Sequence, residues 1–233
     1  MRVWLIQRAE PTPDDNRGSQ RLMRTGILAK LLDDYGHEVI WWTSDYDHYN
    51  KIHRNGCDFR SSLGKRSSIQ YIKSIGYSKR SPISFKRFID MFLLAKRFSK
   101  LAKKEKHLPD IILVSIPTAN LAKEAVKFGK TKNIPVVLDV RDLWPDAIYD
   151  VIPSLIIPLV RILFFPYIKA MNWSAKHATA IIGISKSFVN WGLNCANKDP
   201  SDNDIVFPMG YNKKIVNKDL SIEASRYWDK NGI

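Results

Sequence analysis

A chain of 233 residues with 45% hydrophobic residues is long enough to bury the core of one large domain, and this composition excludes an intrinsically disordered protein. The formal net charge of +14 is unevenly placed, because residues 51–106 hold 16 Lys and Arg against 3 acidic residues, a net +13 that leaves the rest at +1. Such a basic region suits an anionic membrane face or a phosphorylated ligand. Nucleic acid is disfavoured, because no nucleic-acid-binding motif accompanies the charge.

The two cysteines, Cys57 and Cys195, form neither a metal-binding spacing nor a disulfide framework. We therefore expect a reducing cytosol and no metal site.

The N-terminal segment predicts one strand–helix–strand unit. Arg2–Gln7 is a short apolar strand without the small-residue cleavage site of a signal peptide, so no leader is expected. Apolar residues then recur at helical spacing from Leu22 to Leu32, and Gly36 ends that helix. Glu38–Thr43 is the second strand, which completes a right-handed βαβ unit.

The loop between this first strand and helix holds a candidate phosphate site. Gly18 lies where the chain enters the helix, and backbone N–H groups at a helix start can bind an anion, to which Arg17 adds charge. A plain turn glycine explains Gly18 equally well. The dinucleotide fingerprint GxGxxG is absent, which disfavours an NAD-dependent oxidoreductase.

Polar residues follow the second strand. His48 lies in the segment Asp45–Lys51 and is a candidate proton shuttle or hydrogen-bond donor, with an ordinary surface histidine as the alternative. Residues 52–84 are polar and predict a long, mobile excursion with one strand at Ser68–Ile72.

Phe85–Lys106 predicts a basic amphipathic helix. Its apolar stripe comprises Phe85, Phe88, Ile89, Phe92, Ala95, Phe98, Leu101 and Ala102. Most of its Lys and Arg lie off that stripe, so the helix either packs on the core with a solvated basic face or lies on an anionic bilayer.

The rest of the chain alternates strands and helices. The predicted strands are Pro109–Ser115, Ile134–Val140, Ala178–Ile184 and Asp204–Tyr211. The predicted helices are Thr118–Lys130, with Leu121, Ala125, Val126 and Phe128 inward, and Ser185–Leu193. Six or seven apolar runs that alternate with helical patterns predict an α/β fold with a doubly wound, mainly parallel sheet.

Residues 151–178 are strongly apolar but are interrupted by Pro153, Pro158, Pro166 and Arg161. These interruptions disfavour a membrane-spanning helix. Two interpretations remain open, a buried helix and a hydrophobic face that dips into a membrane interface.

The stretch DVRDLWPDAI, residues 139–148, is the main candidate site. Directly after a buried strand it places one Arg, a Trp and three carboxylates within eight residues. In an open parallel sheet the ligand crevice lies at the carboxyl ends of the strands. A solvated loop with an Arg–Asp pair and a helix cap is the alternative.

Five segments together resemble one family. They are RVWLIQ, GHEVIWWTSDYDHYNK, DVRDLWPDAI, AIIGISKSF and FPMGY. From Arg2 to about Tyr211 the chain resembles the N-terminal, acceptor-side half of family 4 retaining glycosyltransferases, in the bacterial surface-polysaccharide, fucosamine-transferase-like branch. The resemblance implies the Rossmann-like N-terminal lobe of a GT-B enzyme over residues 1–212. Residues 213–233 would then be a linker towards a donor-binding lobe that this chain lacks.

The resemblance also implies an activity. It is retaining transfer of a sugar from a nucleotide-sugar to a lipid-linked saccharide in O-antigen, capsule or exopolysaccharide biosynthesis, at the cytoplasmic face of the inner membrane and without a cofactor or metal. Arg141 occupies the place of a catalytic His in many relatives, and we predict Arg141 and Asp142 as catalytic residues. An Arg stays charged, so it would orient a hydroxyl or a phosphate and not act as a base.

The residues that the resemblance favours for substrate binding are Arg17, Gly18, His48, Lys51, Trp144, Asp146 and Gly210. Trp144 would stack on a sugar ring. We expect the chain alone to be inactive, with a separate C-terminal lobe as a partner. The alternative is a non-catalytic module that binds a membrane, a lipid-linked sugar or a partner chain.

Overall fold

The computed structural model describes residues 1–15, 22–54, 60–77 and 85–210. The strands are β1 (Arg2–Ile6), β2 (Glu38–Ser44), β3 (Tyr46–Asp47), β4 (Ile52–His53), β5 (Arg60–Ser62), β6 (Ser68–Ile72), β7 (Ile111–Ile116), β8 (Val136–Val140) and β9 (Ala180–Gly183). The helices are α1 (Arg24–Asp34), α2 (Phe85–Ala102), α3 (Ala119–Lys132), α4 (Asp146–Tyr149), α5 (Ile157–His177) and α6 (Lys186–Ala196), with a 3₁₀ turn at Ser154–Ile156 before α5.

Seven of these strands form one sheet in the order β5-β6-β2-β1-β7-β8-β9. All neighbours pair in parallel except β5, which is antiparallel to β6. The parallel strands run outwards in chain order, β1, β2 and β6 in one direction and β7, β8 and β9 in the other, so the topological switch point lies between β1 and β7. This arrangement confirms the predicted doubly wound, mainly parallel α/β sheet.

The two faces of the sheet carry separate cores. Side chains alternate along each strand, so Trp4 and Ile6 of β1 face α2, α3, α5 and α6, while Val3 and Leu5 face α1. In the larger core the Trp4 ring stacks on Phe128 with centroids 5.3 Å apart. The predicted inward residues of α3 are all buried, which confirms that helix.

The predicted stripe of α2 is wrong at Ile89 and Phe92, whereas Phe88 packs against the core as predicted. Met91, Leu94 and Phe98 are buried, whereas Ile89 and Phe92 are 39% and 51% exposed. Spacings of three and four residues describe two overlapping stripes on this Phe-rich helix, and contact with the sheet selects one of them. The side chain of Phe85 is outside the described part of the helix.

The prolines do not break α5, contrary to the expectation that they interrupt this segment. Pro158 lies in the first turn, where no intrahelical N–H bond is lost. Pro166 lies inside the helix on an exposed side, where water can solvate the carbonyl that it leaves unbonded. Ser154–His177 is therefore long and apolar enough to cross a membrane, judged by length and composition alone. In its most apolar stretch of 18 residues, 22% is buried in the fold.

Two smaller expectations also change. Residues 60–77 are not a plain excursion, because β5 and β6 extend the sheet; the strand at Ser68–Ile72 is confirmed. The strand predicted at Asp204–Tyr211 is wrong over its described part, residues 204–210, where Val206 makes one isolated bridge to Gly183.

Candidate functional site

A pocket of about 190 Å³ opens at the carboxyl edge of the sheet, beside the switch point. It is lined by Gln7, Arg8, Ala9, His48, Arg87, Phe88, Met91, Pro117, Thr118, Asp142 and Trp144. These residues follow β1, β2, β7 and β8 or belong to α2. The site therefore occupies the crevice in which open α/β sheets bind ligands.

Strand alternation explains which side chains reach this pocket. Leu138 and Val140 of β8 face the larger core, and the same two-residue step carried past the strand end brings Asp142 and Trp144 to the pocket. On β1 the same step from Ile6 leads to Arg8. The pocket is thus an extension of the larger core beyond the edge of the sheet.

Asp142 lines the pocket, and its residue surface is exposed. Partial burial of its carboxyl raises its pKa, against the opposing effects of the Leu143 N–H and the Arg87 guanidinium. Burial in turn lowers the pKa of Arg87, and the nearby Arg8 lowers it further. A carboxyl with a raised pKa beside a cation is suited to hold a hydroxyl group by hydrogen bonds.

His48 is held neutral in the same pocket. Burial and the positive charge of Lys51 lower its pKa from 6.5 to about 4. Its Nδ1 shares a hydrogen bond with the Tyr77 hydroxyl, and Lys51 Nζ lies 3.3 Å from the same nitrogen. Between pH 5 and 8 the ring is uncharged, with one nitrogen that donates and one that accepts a hydrogen bond.

Cations surround the Tyr77 ring behind His48. Lys51 Nζ lies 4.9 Å from the ring centroid, and the guanidinium carbons of Arg8 and Arg87 each lie 5.9 Å from it. Arg8 also pairs with the buried Asp90 at 3.3 Å. Three cations therefore lie in this wall, one of them paired with Asp90, and they favour a ligand that is anionic or rich in oxygen atoms.

Arg141 lies in a different group, which we call the buried ion network: Glu10, Arg24, Asp139 and Arg141. Arg141 donates from Nε to Asp139 at 2.6 Å and from Nη1 to Glu10, and Arg24 donates from Nη2 to Asp139 at 3.0 Å. All four side chains are at least nine-tenths buried, and Asp139 is completely buried. Arg141 does not line the pocket, and its catalytic role stays a prediction.

The other predicted substrate-binding residues are scattered. Trp144 packs edge to face against Phe164 with centroids 5.6 Å apart and lines the pocket, as do His48 and Asp142. Asp146 accepts a 2.7 Å bond from Trp191 Nε1 in a second groove. Gly210 is exposed, with open space around it. Arg17 and Gly18 lie outside the described residues.

Sequence reasoning missed Arg8, Tyr77 and Arg87. For Arg8 a signal existed, because it continues the inward alternation of β1. Arg87 was assigned to a solvated basic face, and only the packing of the α2 N-terminus against the sheet edge brings it to the pocket. Among the described residues no group of three or more His, Cys, Asp or Glu is placed to hold a metal ion.

No known family profile and no curated protein matches this chain. Solved structures do match. HepE from Anabaena, in complex with UDP and glucose, is 11% identical, and the match covers 100% of this chain and 50% of that one with a TM-score of 0.50. UGT89C1 from Arabidopsis thaliana is 11% identical, with 97% and 54% of the two chains covered and a TM-score of 0.50. LpCGTa in complex with UDP is 10% identical, with 95% and 56% covered and a TM-score of 0.50.

This chain thus spans about half the length of the solved structures that it matches. At these identities the likeness concerns the fold alone. The chain has the Rossmann-like α/β fold of one lobe of a GT-B structure.

Proposed function

We propose that this chain is the acceptor-side lobe of a retaining glycosyltransferase that transfers a sugar from a nucleotide-sugar to a lipid-linked saccharide. The observation that carries the proposal is the pocket at the carboxyl edge of the sheet. It brings together the Asp142 carboxyl, the neutral His48 ring, the Arg87 guanidinium and the Trp144 indole.

Each group has a role in such a transfer. The Asp142 carboxylate accepts a hydrogen bond from the acceptor hydroxyl and orients its oxygen towards the anomeric carbon. Neutral His48 donates to or accepts from a neighbouring hydroxyl without adding charge. The acceptor oxygen bonds to the anomeric carbon as the bond from that carbon to the leaving phosphate breaks, and the hydroxyl proton passes to that phosphate. Arg87 and Arg8 stabilise the negative charge that develops on the phosphate. The Trp144 ring packs on the apolar face of the acceptor sugar.

The rest of the proposal follows from the family resemblance. The enzyme acts in O-antigen, capsule or exopolysaccharide biosynthesis, like family 4 enzymes of the fucosamine-transferase-like branch, and works at the cytoplasmic face of the inner membrane. The nucleotide-sugar binds mainly to a second lobe, a C-terminal or separate chain. Solved structures of similar fold that contain UDP agree with a nucleotide-sugar donor for such an enzyme.

Two titrations test the proposal on the chain as it is. Isothermal calorimetry with lipid-linked saccharides should show binding that Asp142→Asn and Trp144→Ala weaken. The same measurement with a panel of nucleotide-sugars should show little or no binding. Asp150→Asn is the control, since Asp150 is exposed, follows the short helix α4 and does not line the pocket.

A transfer assay completes the test. Radiolabelled nucleotide-sugars and lipid extracted from bacterial membranes are incubated with the chain alone and with a separately expressed donor-binding lobe. Transfer that requires the second lobe supports the proposal. Tight nucleotide-sugar binding by the chain alone would mean that the donor site lies on this lobe, contrary to the proposal. Acceptor binding without transfer in either arrangement would favour the non-catalytic module instead.

A further inference from the structure

The first half of α5 and the turns before it expose an unusual number of large aliphatic side chains. Leu155 is 89% exposed, Leu163 74% and Ile162 72%. The other exposed apolar residues of this surface are Val151, Ile156, Leu159 and Phe165. We call these seven residues the apolar face of α5. Seven such neighbours form a contiguous patch of a kind that a soluble monomer rarely leaves in water.

Helical geometry shows how this face is built. Ile157, Val160 and Phe164 recur at spacings of three and four residues and form the narrow stripe that contacts the rest of the molecule. From Pro158 to Pro166 the exposed apolar residues cover about 160° of the helix circumference at 100° per residue. Arg161 lies at the edge of this arc, between the apolar face and the contact stripe. The first half of α5 is therefore amphipathic in the sense of an interfacial helix.

The composition of the surface identifies its partner as a lipid bilayer. Residues 151–168 contain no acidic side chain, and Arg161 is their only charge. A protein interface of this size is usually richer in polar groups and less purely aliphatic. Beside the apolar face lies a groove lined by Tyr149, Arg161, Trp191 and Asp146, in which the Arg161 guanidinium lies 5.3 Å from the Tyr149 ring centroid and Asp146 accepts a hydrogen bond from Trp191 Nε1. An Arg at the edge of an apolar face settles at the headgroup level of membranes.

The fold decides how far the helix can enter. The second half of α5 buries Ala170, Met171, Ser174 and Ala175 in the core, against α3 and α6. If the whole helix crossed a membrane, this packing would be lost, so only the exposed half is available to lipid. An interfacial helix buries its apolar face about 5–10 Å deep, which the side chains of this face can reach without any change of fold.

We propose that the apolar face of α5 docks this protein on an anionic lipid bilayer, with Arg161 at the level of the headgroups. The net charge of +14 provides the complementary attraction to an anionic leaflet. Phe164 links this surface to the candidate site, because its ring centroid lies 5.5 Å from that of Phe88 and 5.6 Å from that of Trp144. Docking therefore holds the mouth of the pocket near the membrane surface; this consequence for acceptor capture rests on the proposed function, whereas the docking itself does not.

Vesicle sedimentation with phosphatidylglycerol–phosphatidylcholine and pure phosphatidylcholine vesicles tests the proposal. The chain should bind the anionic vesicles more tightly. Leu159→Gln and Ile162→Gln should each weaken the partition about tenfold, and the double variant about a hundredfold, because each removes one large apolar side chain from lipid. Arg161→Gln should weaken binding about fivefold on anionic vesicles and much less on neutral ones. The control Leu31→Gln changes an equally large residue, 50% exposed on α1 across the sheet, and should leave binding unchanged.

Three results would overturn the inference. The first would be a failure of the chain to bind either kind of vesicle. The second would be an equal loss of binding in Leu31→Gln and Ile162→Gln. The third would be an oligomer, seen by sedimentation velocity without lipid, that Ile162→Gln dissociates. The last result would make the face a protein interface. Circular dichroism of each variant confirms the fold. The vesicle assay contains no sugar, so its failure leaves the proposed sugar transfer standing and removes only the membrane location, and an Asp142→Asn variant that binds vesicles but not acceptor separates the two.

Discussion

Two groups of charged side chains lie at the same edge of the sheet and are built in opposite ways. In the buried ion network two arginines and two carboxylates balance each other through direct hydrogen bonds. In the pocket, three cations lie around the Tyr77 ring, and Asp142 has a raised pKa. The charged groups of the network bond mainly to one another, with only Arg24 Nε and Arg141 Nη2 buried without a hydrogen-bond partner, whereas those of the pocket line an open cavity.

The motif DVRD supplies residues to both groups, and strand alternation separates them. Asp139 and Arg141 point to the α1 side and enter the network, while Val140 and Asp142 point to the opposite side. Adjacent charged residues in one motif can thus have unrelated tasks. The difference predicts that substitutions in the network change stability first, and substitutions in the pocket change function first.

The largest effect is expected for Asp139→Asn. This substitution removes a fully buried charge from two arginines, and breaking a buried ion pair in this way typically costs about 3–5 kcal/mol. The matched variant Asp142→Asn should change the free energy of unfolding by less than about 1 kcal/mol, because Asp142 is in part exposed. Urea unfolding followed by circular dichroism measures both. Equal losses would show that the two groups form one structural unit.

Asp142→Asn should have the next largest effect, on transfer. If Asp142 orients the acceptor hydroxyl, the variant should lose about a hundredfold or more in the rate of sugar transfer with the fold intact. The rate is measured in the two-lobe assay at saturating donor. Asp150→Asn is expected to match the parent protein. A variant Asp142→Asn with the parent's rate would remove this residue from the proposed chemistry.

Arg141→Lys tests whether Arg141, which is predicted as catalytic, acts in the buried ion network or in sugar transfer. Arg141 bonds two different carboxylates through Nε and Nη1, and one ammonium group cannot reproduce both contacts. We expect the variant to lose about 1–2 kcal/mol of stability. The rate of transfer below its melting temperature then tests the catalytic prediction, because a folded variant with the parent's rate would make Arg141 a purely structural residue. Loss of transfer in a fully folded Arg141→Lys protein would instead support the catalytic prediction.

The smallest effect concerns pH and His48. Its pKa in the folded protein, about 4, lies below the ordinary value of 6.5, so the unfolded chain takes up the proton first as the pH falls. The contribution of neutral His48 to stability is complete above pH 6.5 and is lost as the pH falls from 6.5 to 4, by roughly 1 kcal/mol after solvent screening.

Unfolding at a series of pH values, compared between the parent and His48→Gln, measures this contribution. His107→Gln, at an exposed position, is the control. NMR should show the His48 ring signals constant between pH 8 and 6. A midpoint near 6.5 would mean that the ring is solvated and is not part of the pocket wall.

The sequence by itself determined the class of fold. Strands buried on both faces read as continuous apolar runs, so β1, β2, β6, β7, β8 and β9 could be predicted from local composition alone. The inward face of α3 also followed from its spacing. Asp142, Trp144 and His48 were found because polar residues directly after buried strands collect at one edge of a parallel sheet.

Only the tertiary structure decided the rest. Arg8, Tyr77 and Arg87 are far apart in sequence and meet only because β1, β6 and α2 converge at that edge. Whether Arg141 faces a ligand or a carboxylate depended on Glu10 and Arg24, which no local pattern connects to it. The prolines of α5 were compatible with a helix because one lies in the first turn and the other on an exposed side. Burial depends on which surfaces meet in space, and local periodicity does not contain that information.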